Sequence, residues 1–200
     1  VPPVPLGPRI VSGEGPHPDN HTVIRILSPY QVCETQFLAY PPNIRGGVGI
    51  ETGIDGKGRF FIATWPLSSE LTRYIHLFNQ AGGTKGKIQV SKEIKPPYDL
   101  DVGDFLPKSS GDEIAITSQY AKEANPLVFV YSASGKLLKR KAVTGKAGEY
   151  SLLTKNSNQL LAQELGRQKI HPVFSPQKEI STSVGNKKLK IFDSVYPDRE

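Results

Sequence analysis

The sequence predicts an all-β protein made of repeated units, and three observations support this fold class. Apolar residues come in short bursts, rich in Val, Ile, Phe and Tyr, that end at Gly, Pro, Asn or Asp. The periodicity of an amphipathic helix is nearly absent. A strand pattern also recurs at a spacing of about 50 residues. A repeat of this length holds four short antiparallel strands, as in a β-propeller blade, so we expect a propeller of about four blades.

The apolar bursts define the candidate strands in chain order. Gly and Pro, which make up 19 and 17 of the 200 residues, separate the bursts and supply the turns. The Pro-containing stretch at residues 171–177 is predicted to be a loop. The predicted strands span residues 9–13, 22–27, 34–40, 48–52, 59–65, 73–78, 86–90, 100–104, 113–118, 127–132, 137–143, 150–154, 159–163 and 189–193.

Two independent markers carry the repeat. One marker is an alternating stretch that ends in an aromatic residue followed by a small polar one, which residues 25–28 (RILS) resemble, at spacings of 51, 53 and 61 residues. The ends of these stretches are Leu27, Phe78, Tyr131 and Phe192. The second marker relates Gly53 to Asp104, 51 residues apart, and Phe61 to Ile114, 53 residues apart. Two markers with one period predict equivalent structural units.

The repeats divide one predicted domain, residues 1–200, into approximate blades at residues 9–47, 48–97, 98–146 and 147–196. The first blade is predicted to lack its innermost strand and the last blade its outermost strand. Two alternatives remain open. The chain forms an arc of a larger propeller, or it forms a β-sandwich, whose turns have a similar spacing. The repeat favours the propeller, because a sandwich has no reason to repeat its sequence.

Composition and charge exclude several classes of protein. The chain has 25 basic and 19 acidic residues, a net charge of +6 and 37% hydrophobic residues, a globular balance that excludes disordered and fibrous chains. No apolar run approaches the ~18 residues of a membrane helix, so we expect no membrane insertion. The single Cys33 excludes an internal disulfide. The chain has neither a G-x-S-x-G nucleophile motif nor a Gly-rich phosphate loop between a strand and a helix.

A basic cluster and one Trp are the candidate ligand-binding residues. The cluster falls on the predicted outermost strand of the third blade, where lysines protect an exposed sheet edge from pairing with other chains. Edge protection is the favoured interpretation and attraction of polyanions the alternative, and we expect no nucleic-acid partner. Trp65 ends a strand beside Pro66, where its ring either packs in the core or forms a platform for a sugar. The basic cluster is Lys136, Lys139, Arg140 and Lys141.

The loop at residues 13–21 contains a group of candidate metal ligands. Two His and a carboxylate are a suitable donor set for a transition metal. Pro16 and Pro18 stiffen the chain around this group, and a loop between strands is polar in any case, so a solvated loop is the favoured interpretation. The candidate ligands are Glu14, His17, Asp19 and His21.

The order of short motifs along the chain resembles a bacterial version of the FG-GAP or integrin-alpha-type propeller repeats. One copy comprises residues 10–16 (IVSGEGP), 23–27 (VIRIL), 37–40 (FLAY), 45–48 (RGGV), 53–58 (GIDGKG) and 59–64 (RFFIAT). A second copy comprises residues 100–104 (LDVGD), 112–117 (DEIAIT), 128–131 (VFVY) and 134–138 (SGKLL). The likeness covers roughly residues 10–143 and then fades.

The resemblance implies a calcium loop in each copy, with carboxylates at the first, third and fifth positions. These positions are held by Gly53, Asp55 and Lys57 in one copy and by Asp104, Leu106 and Lys108 in the other. One carboxylate per loop is too few for calcium, and a basic side chain repels the ion, so we expect neither a metal nor another cofactor. We expect Lys57 to replace the ion by pairing with Asp55. Lys108 is expected to pair with Asp104 or Asp112.

The function follows from the resemblance. It implies a secreted or cell-surface binding module without catalysis, which recognises a glycan or protein ligand through loops at one face. One alternative is an accessory or catalytic propeller of a polysaccharide-degrading enzyme, with basic residues directed at an acidic polymer. Another alternative is a structural spacer in a larger surface protein. The fold alone does not choose among these functions.

Overall fold

The computed structural model describes residues 9–67, 72–122, 124–155, 158–165 and 169–174. Within these ranges the regular structure consists of fifteen β-strands in four antiparallel sheets, so the all-β prediction is confirmed. The described ranges include no helix that is long and apolar enough to cross a membrane.

The four sheets follow one another along the chain. Sheet 1 contains β1 (Ile10–Gly13), β2 (Val23–Leu27) and β3 (Cys33–Leu38) in that order. Sheet 2 contains β4 (Val48–Ile54), β5 (Phe60–Pro66), β6 (Tyr74–Phe78) and β7 (Thr84–Gln89). Sheet 3 has the order β8 (Tyr98–Gly103), β9 (Glu113–Ser118), β11 (Leu127–Ser132) and β12 (Leu137–Ala142). Sheet 4 has the order β10 (Tyr120–Ala121), β13 (Gly148–Lys155), β14 (Gln159–Glu164) and β15 (Lys169–Phe174).

Each predicted strand inside the described ranges overlaps an observed strand. The prediction at residues 189–193 lies outside the described residues, as does Phe192. Two strands were not predicted, the two-residue β10 and β15. The predicted loop at residues 171–177 is wrong at its start, because β15 includes Pro172. Among the described strands β15 lies at the outer end of sheet 4, and an outer strand is where sheets tolerate Pro.

Three hairpins of equivalent geometry underlie the first sequence marker. In β2–β3, β6–β7 and β11–β12 the pairing register shifts immediately before Leu27, Phe78 and Tyr131. The next residue in each hairpin closes the turn with its backbone N–H and also accepts a backbone N–H at its side-chain oxygen. These capping residues are Ser28, Asn79 and Ser132. The pattern of a large apolar residue followed by a small polar one therefore records a bulge and its capped turn.

The second sequence marker is displaced by one residue. Strand pairing matches Ile114 with Ile62, 52 residues earlier, rather than with Phe61. Ile62 and Ile114 both face the preceding sheet, whereas Phe61 faces the following sheet. The same displacement applies to Gly53, whose pairing matches Gly103. A one-residue slip exchanges the two faces of a strand, so the marker gave the period correctly and the faces incorrectly.

The sheets pack face to face in series, with one hydrophobic cluster between each neighbouring pair. The cluster between sheets 1 and 2 includes Ile24, Ile26, Ile50 and Ile62. The cluster between sheets 2 and 3 includes Phe61, Trp65, Leu77, Tyr98, Ile116 and Phe129. The cluster between sheets 3 and 4 includes Val128, Val130, Tyr150, Leu160 and Val173. Sheets 2 and 3 are thus covered on both faces, which differs from the two-sheet sandwich considered as an alternative.

The first long strand of each sheet contacts that of the next sheet: β1 contacts β4, β4 contacts β8, and β8 contacts β13. At the last of these contacts, sheet 3 supplies hydrogen-bond partners to the part of β13 that extends beyond the two-residue β10. The Asp99 carboxylate accepts the Leu152 N–H at 2.6 Å and the Ser151 hydroxyl at 2.8 Å. The Gln119 backbone carbonyl accepts the Tyr150 N–H at 2.8 Å, and β10 pairs with the start of β13. Polar groups of sheet 3 therefore replace the missing ladder partners of sheet 4.

Asp101 lies two residues beyond Asp99 on the same face of β8. Burial raises the pKa of Asp101 to about 6. Hydrogen bonds from Thr154 and from the Val102 N–H lower this pKa, and the nearby charge of Asp99 raises it further. The folded state therefore holds a proton on Asp101 at a pH where the unfolded chain has lost it.

We expect Gly49→Ala to destabilise the fold by about 3 kcal/mol, measured by urea unfolding. Gly49 pairs with Trp65, and a Cβ at Gly49 would lie 2.2 Å from Trp65 Cε2, so the indole must shift within its core. Gly86→Ala is the matched control, because a Cβ there meets no atom within 4 Å in the described structure. An equal loss in both variants would contradict the proposed packing.

Asp101→Asn is expected to change how stability depends on pH. Because the pKa of Asp101 is raised on folding, its contribution to the free energy of unfolding is complete below about pH 4 and declines as the pH rises through 6. The variant should match the wild type near pH 3.5 and exceed it by about 2 kcal/mol at pH 7. Urea unfolding at both values measures the difference, and a pH-independent difference would contradict the raised pKa.

Candidate functional site

A pocket of about 890 Å³ lies where the hairpin turns of sheets 2 and 3 converge. The β4–β5 turn, the β8–β9 loop, the start of β7 and the β11–β12 turn form its walls. Five basic side chains line it together with one carboxylate, that of Asp55, and we call it the basic pocket. The basic residues are Lys57, Arg59, Lys85, Lys108 and Lys136.

Asp55 organises the β4–β5 turn in the wall of the pocket. Its side chain is only 9% exposed. Oδ1 accepts the backbone N–H of Lys57 at 3.0 Å and that of Arg59 at 2.9 Å. Oδ2 accepts Arg59 Nε and Lys85 Nζ, each at 3.0 Å. One carboxylate thus fixes the turn backbone and holds two cations.

The predicted pairing of Lys57 with Asp55 is wrong, because the ammonium that neutralises Asp55 belongs to Lys85. Lys85 Nζ also donates to the Phe60 carbonyl at 3.1 Å, and its side chain is 16% exposed. Lys57 contributes only its backbone N–H to Asp55. The sequence did not single out Lys85, because the residue comes from β7 and reaches the turn through the pairing of three strands.

Burial is the largest single influence on Asp55 and raises its pKa, but hydrogen bonds from Arg59, Lys85 and Lys57 together outweigh it. They hold the pKa of the Asp55 carboxyl well below its usual range. Asp55 is therefore charged at neutral pH and balances one of the five cations. The lining of the pocket keeps a strong positive charge.

The β8–β9 loop is tied to the β4–β5 turn by backbone and side-chain bonds. The Asp112 carboxylate accepts the Ile54 N–H at 2.7 Å, and the Asp112 N–H donates to the Ile54 carbonyl at 2.7 Å. Gly111 pairs with Asp55 in an isolated bridge, and a Cβ at Gly111 would lie 2.4 Å from the Asp55 carbonyl carbon. Glycine is required there both for this close approach and for its φ of 79°.

The predicted ion pair of Lys108 with Asp104 or Asp112 does not occur in the part of the chain that the structure describes. Asp112 bonds to backbone instead, and Asp104 is exposed. Sequence reasoning missed Glu113, whose Oε2 accepts the N–H of Phe105 at 2.7 Å and that of Leu106 at 3.0 Å. Burial raises the pKa of Glu113, with hydrogen bonds from Ser109 and the loop backbone opposing it.

Trp65 is not a surface platform. The structure places it in the core between sheets 2 and 3, where it is 2% exposed and its ring covers Gly49. Of the two interpretations of Trp65, packing in the core is the one that agrees with its burial.

Side chains alternate between the two faces of β12, so the residues of the basic cluster do not all lie on one face. Lys139 Nζ lies 4.9 Å and Lys141 Nζ 5.5 Å from the ring centre of Phe174 in sheet 4. Arg140 projects to the other face and pairs with Glu93 at 2.6 Å. β12 is the outer strand of sheet 3, as edge protection requires. Of the four predicted residues, only Lys136 lines the basic pocket.

The candidate metal ligands near the start of the chain lie apart from the basic pocket. Glu14 pairs with Arg25 at 3.1 Å, and His17 Nδ1 lies 3.8 Å from the Asp19 carboxylate. His21 forms an isolated bridge with a residue of the β3–β4 loop. Across the described ranges, no three His, Cys, Asp or Glu side chains are grouped closely enough to hold a metal ion. The expectation of no cofactor stays a prediction.

Comparison with protein-family models and with curated proteins finds no match to this chain. The resemblance to FG-GAP repeats therefore stays a prediction, and the site is interpreted from its own geometry.

Asp55→Asn is expected to lower the free energy of unfolding by about 2 kcal/mol at neutral pH, because it leaves the mostly buried Lys85 ammonium without a carboxylate. The loss should shrink as the pH falls below about 4, since a depressed carboxyl pKa stabilises only above the unfolded value. Asp104→Asn, an exposed carboxylate in the neighbouring loop, is the control, with an expected change below about 0.5 kcal/mol in urea unfolding. Equal losses would contradict the role of Asp55.

Proposed function

We propose that this chain is a non-catalytic module of propeller architecture that binds a glycan in the basic pocket. The order of the sheets supports the architecture. Successive sheets are in contact through their first long strands, and each neighbouring pair buries one apolar cluster. Blades arranged around a common axis have both properties. The FG-GAP resemblance adds the expectation of a secreted or cell-surface location.

The observation that carries the proposal is the basic pocket itself. Its volume of about 890 Å³ falls within the range of small-molecule sites. It is lined by turns, which tolerate change without loss of the core, and the turns are tied together by Asp55 and Asp112. A loop-built site on a rigid support is the arrangement that binding modules use.

The lining favours a glycan over a protein ligand. The apolar side chains in it are only Leu106, Ala133 and Leu138, whereas a stable protein interface needs an apolar core, often with aromatic residues. Serine hydroxyls line the remaining wall and are suitable partners for sugar hydroxyls. They belong to Ser109, Ser110, Ser132 and Ser134.

A glycan array with a blocking variant tests this function. Ser134 is exposed in the pocket wall, so Ser134→Tyr should weaken binding of any glycan that the wild type captures by roughly tenfold or more. Thr144→Tyr, at an exposed hydroxyl in the β12–β13 loop at the other end of sheet 3, should leave binding within about twofold. Thermal unfolding checks that both variants fold.

Capture of no glycan by the wild type, or an equal loss in both variants, would refute glycan binding in this pocket. Cleavage of a uronate polymer in the same preparations would refute the non-catalytic part and favour the polysaccharide-degrading alternative.

A further inference from the structure

We propose that the basic pocket recognises the oxyanion groups of an acidic glycan, with Lys57, Lys108 and Lys136 as the recognising residues. This inference rests on the proposed function and specifies its ligand class. Sulfate esters and uronate carboxylates share the required chemistry, a compact negative charge with several acceptor oxygens.

The first step is the distribution of charge within the pocket. Arg59 and Lys85 are engaged by Asp55. The other three cations are exposed, and no carboxylate of the described residues forms an ion pair with any of them. Three like charges around one pocket repel each other and are stabilised by a bound anion. The fold therefore uses two of the cations internally and leaves three to a ligand.

The second step is the rigidity of the three anchor points. The backbone N–H of Lys57 is held by Asp55, and that of Lys136 is held by the Ser132 hydroxyl at 3.2 Å. The loop that carries Lys108 is joined to the β4–β5 turn by Asp112. Each lysine thus extends from a separate fixed turn, which lowers the entropic cost of bringing three charges to one ligand.

The third step separates a glycan from other polyanions. Single-stranded nucleic acids are held by aromatic rings that stack on bases as well as by charge. No aromatic side chain lines the basic pocket in the described structure. Hydroxyl groups do line it, and the Ser132 and Ser134 hydroxyls lie 2.8 Å apart. The lining therefore offers a ligand hydrogen bonds from hydroxyl groups and ionic contacts from ammonium groups. These partners fit a charged sugar.

The experiment compares two triple variants by titration calorimetry. Lys57→Ala, Lys108→Ala and Lys136→Ala are combined in the first. The second combines Lys92→Ala, Lys122→Ala and Lys146→Ala, three exposed lysines in loops at the opposite end of the strands. Both remove three positive charges, so the overall charge of the protein is matched. The probes are a heparin-derived hexasaccharide, hexagalacturonate, neutral maltohexaose and, as a polyanion that is not a glycan, a single-stranded DNA hexamer.

We expect the wild type to bind one or both acidic probes at least tenfold more tightly than maltohexaose. The pocket variant should lose roughly 10- to 100-fold in affinity for them, and the opposite-end variant about twofold or less. Binding of the heparin probe alone assigns sulfate esters, and binding of hexagalacturonate alone assigns uronates. Unfolding midpoints of the two variants control for folding.

Four outcomes would overturn the inference. If maltohexaose binds as tightly as the acidic probes, the glycan-binding function stands and the anionic preference is wrong. If none of the probes binds but the glycan array captures neutral sugars, the result is the same. Equal losses in both triple variants, or equally tight binding of a single-stranded DNA hexamer, would show charge attraction without recognition in this pocket.

Discussion

Sheets 2 and 3 bury apolar side chains on both of their faces, so each depends on a neighbouring sheet on either side, whereas sheets 1 and 4 bury one face within the described residues. Phe61 and Ile62 are adjacent in β5 and are both fully buried, yet one packs toward sheet 3 and the other toward sheet 1. A strand that buries consecutive residues cannot form the surface of an isolated hairpin. The serial packing of sheets, with three separate clusters, follows from this requirement.

Serial packing fixes where chemistry is possible. Apolar side chains occupy the packed faces, and the polar groups that line the basic pocket lie at or near the ends of strands. At one edge Asp99 serves the backbone of β13 instead of solvent. At the strand ends, turns of neighbouring sheets meet, and Asp112 joins two of them. The basic pocket forms at this meeting point because two sheets with equivalent hairpins present their turns side by side.

The sequence predicts the strands and their period because both depend on local patterns. Leu27, Phe78 and Tyr131 mark equivalent bulges, since a bulge and its capped turn need particular residues at adjacent positions. The spacing does not determine which face of a strand a residue occupies, because a one-residue slip preserves the period. Lys85 was missed for a different reason: it reaches Asp55 across the sheet, and no spacing along the chain encodes that distance.

The separation of structural and exposed cations explains why the pocket is able to be both stable and positively charged. A lone carboxylate beneath a turn requires neutralisation, and Lys85 supplies it from a partly buried position with a second bond to the Phe60 carbonyl. Once Asp55 is satisfied in this way, Lys57 is not needed for the fold. Additional charge at its position costs little while the side chain is hydrated, because water screens exposed like charges. Asp55 therefore holds Arg59 and Lys85 in fixed ionic bonds, and the exposed ammonium groups of the other lining lysines are left for an anion to reach.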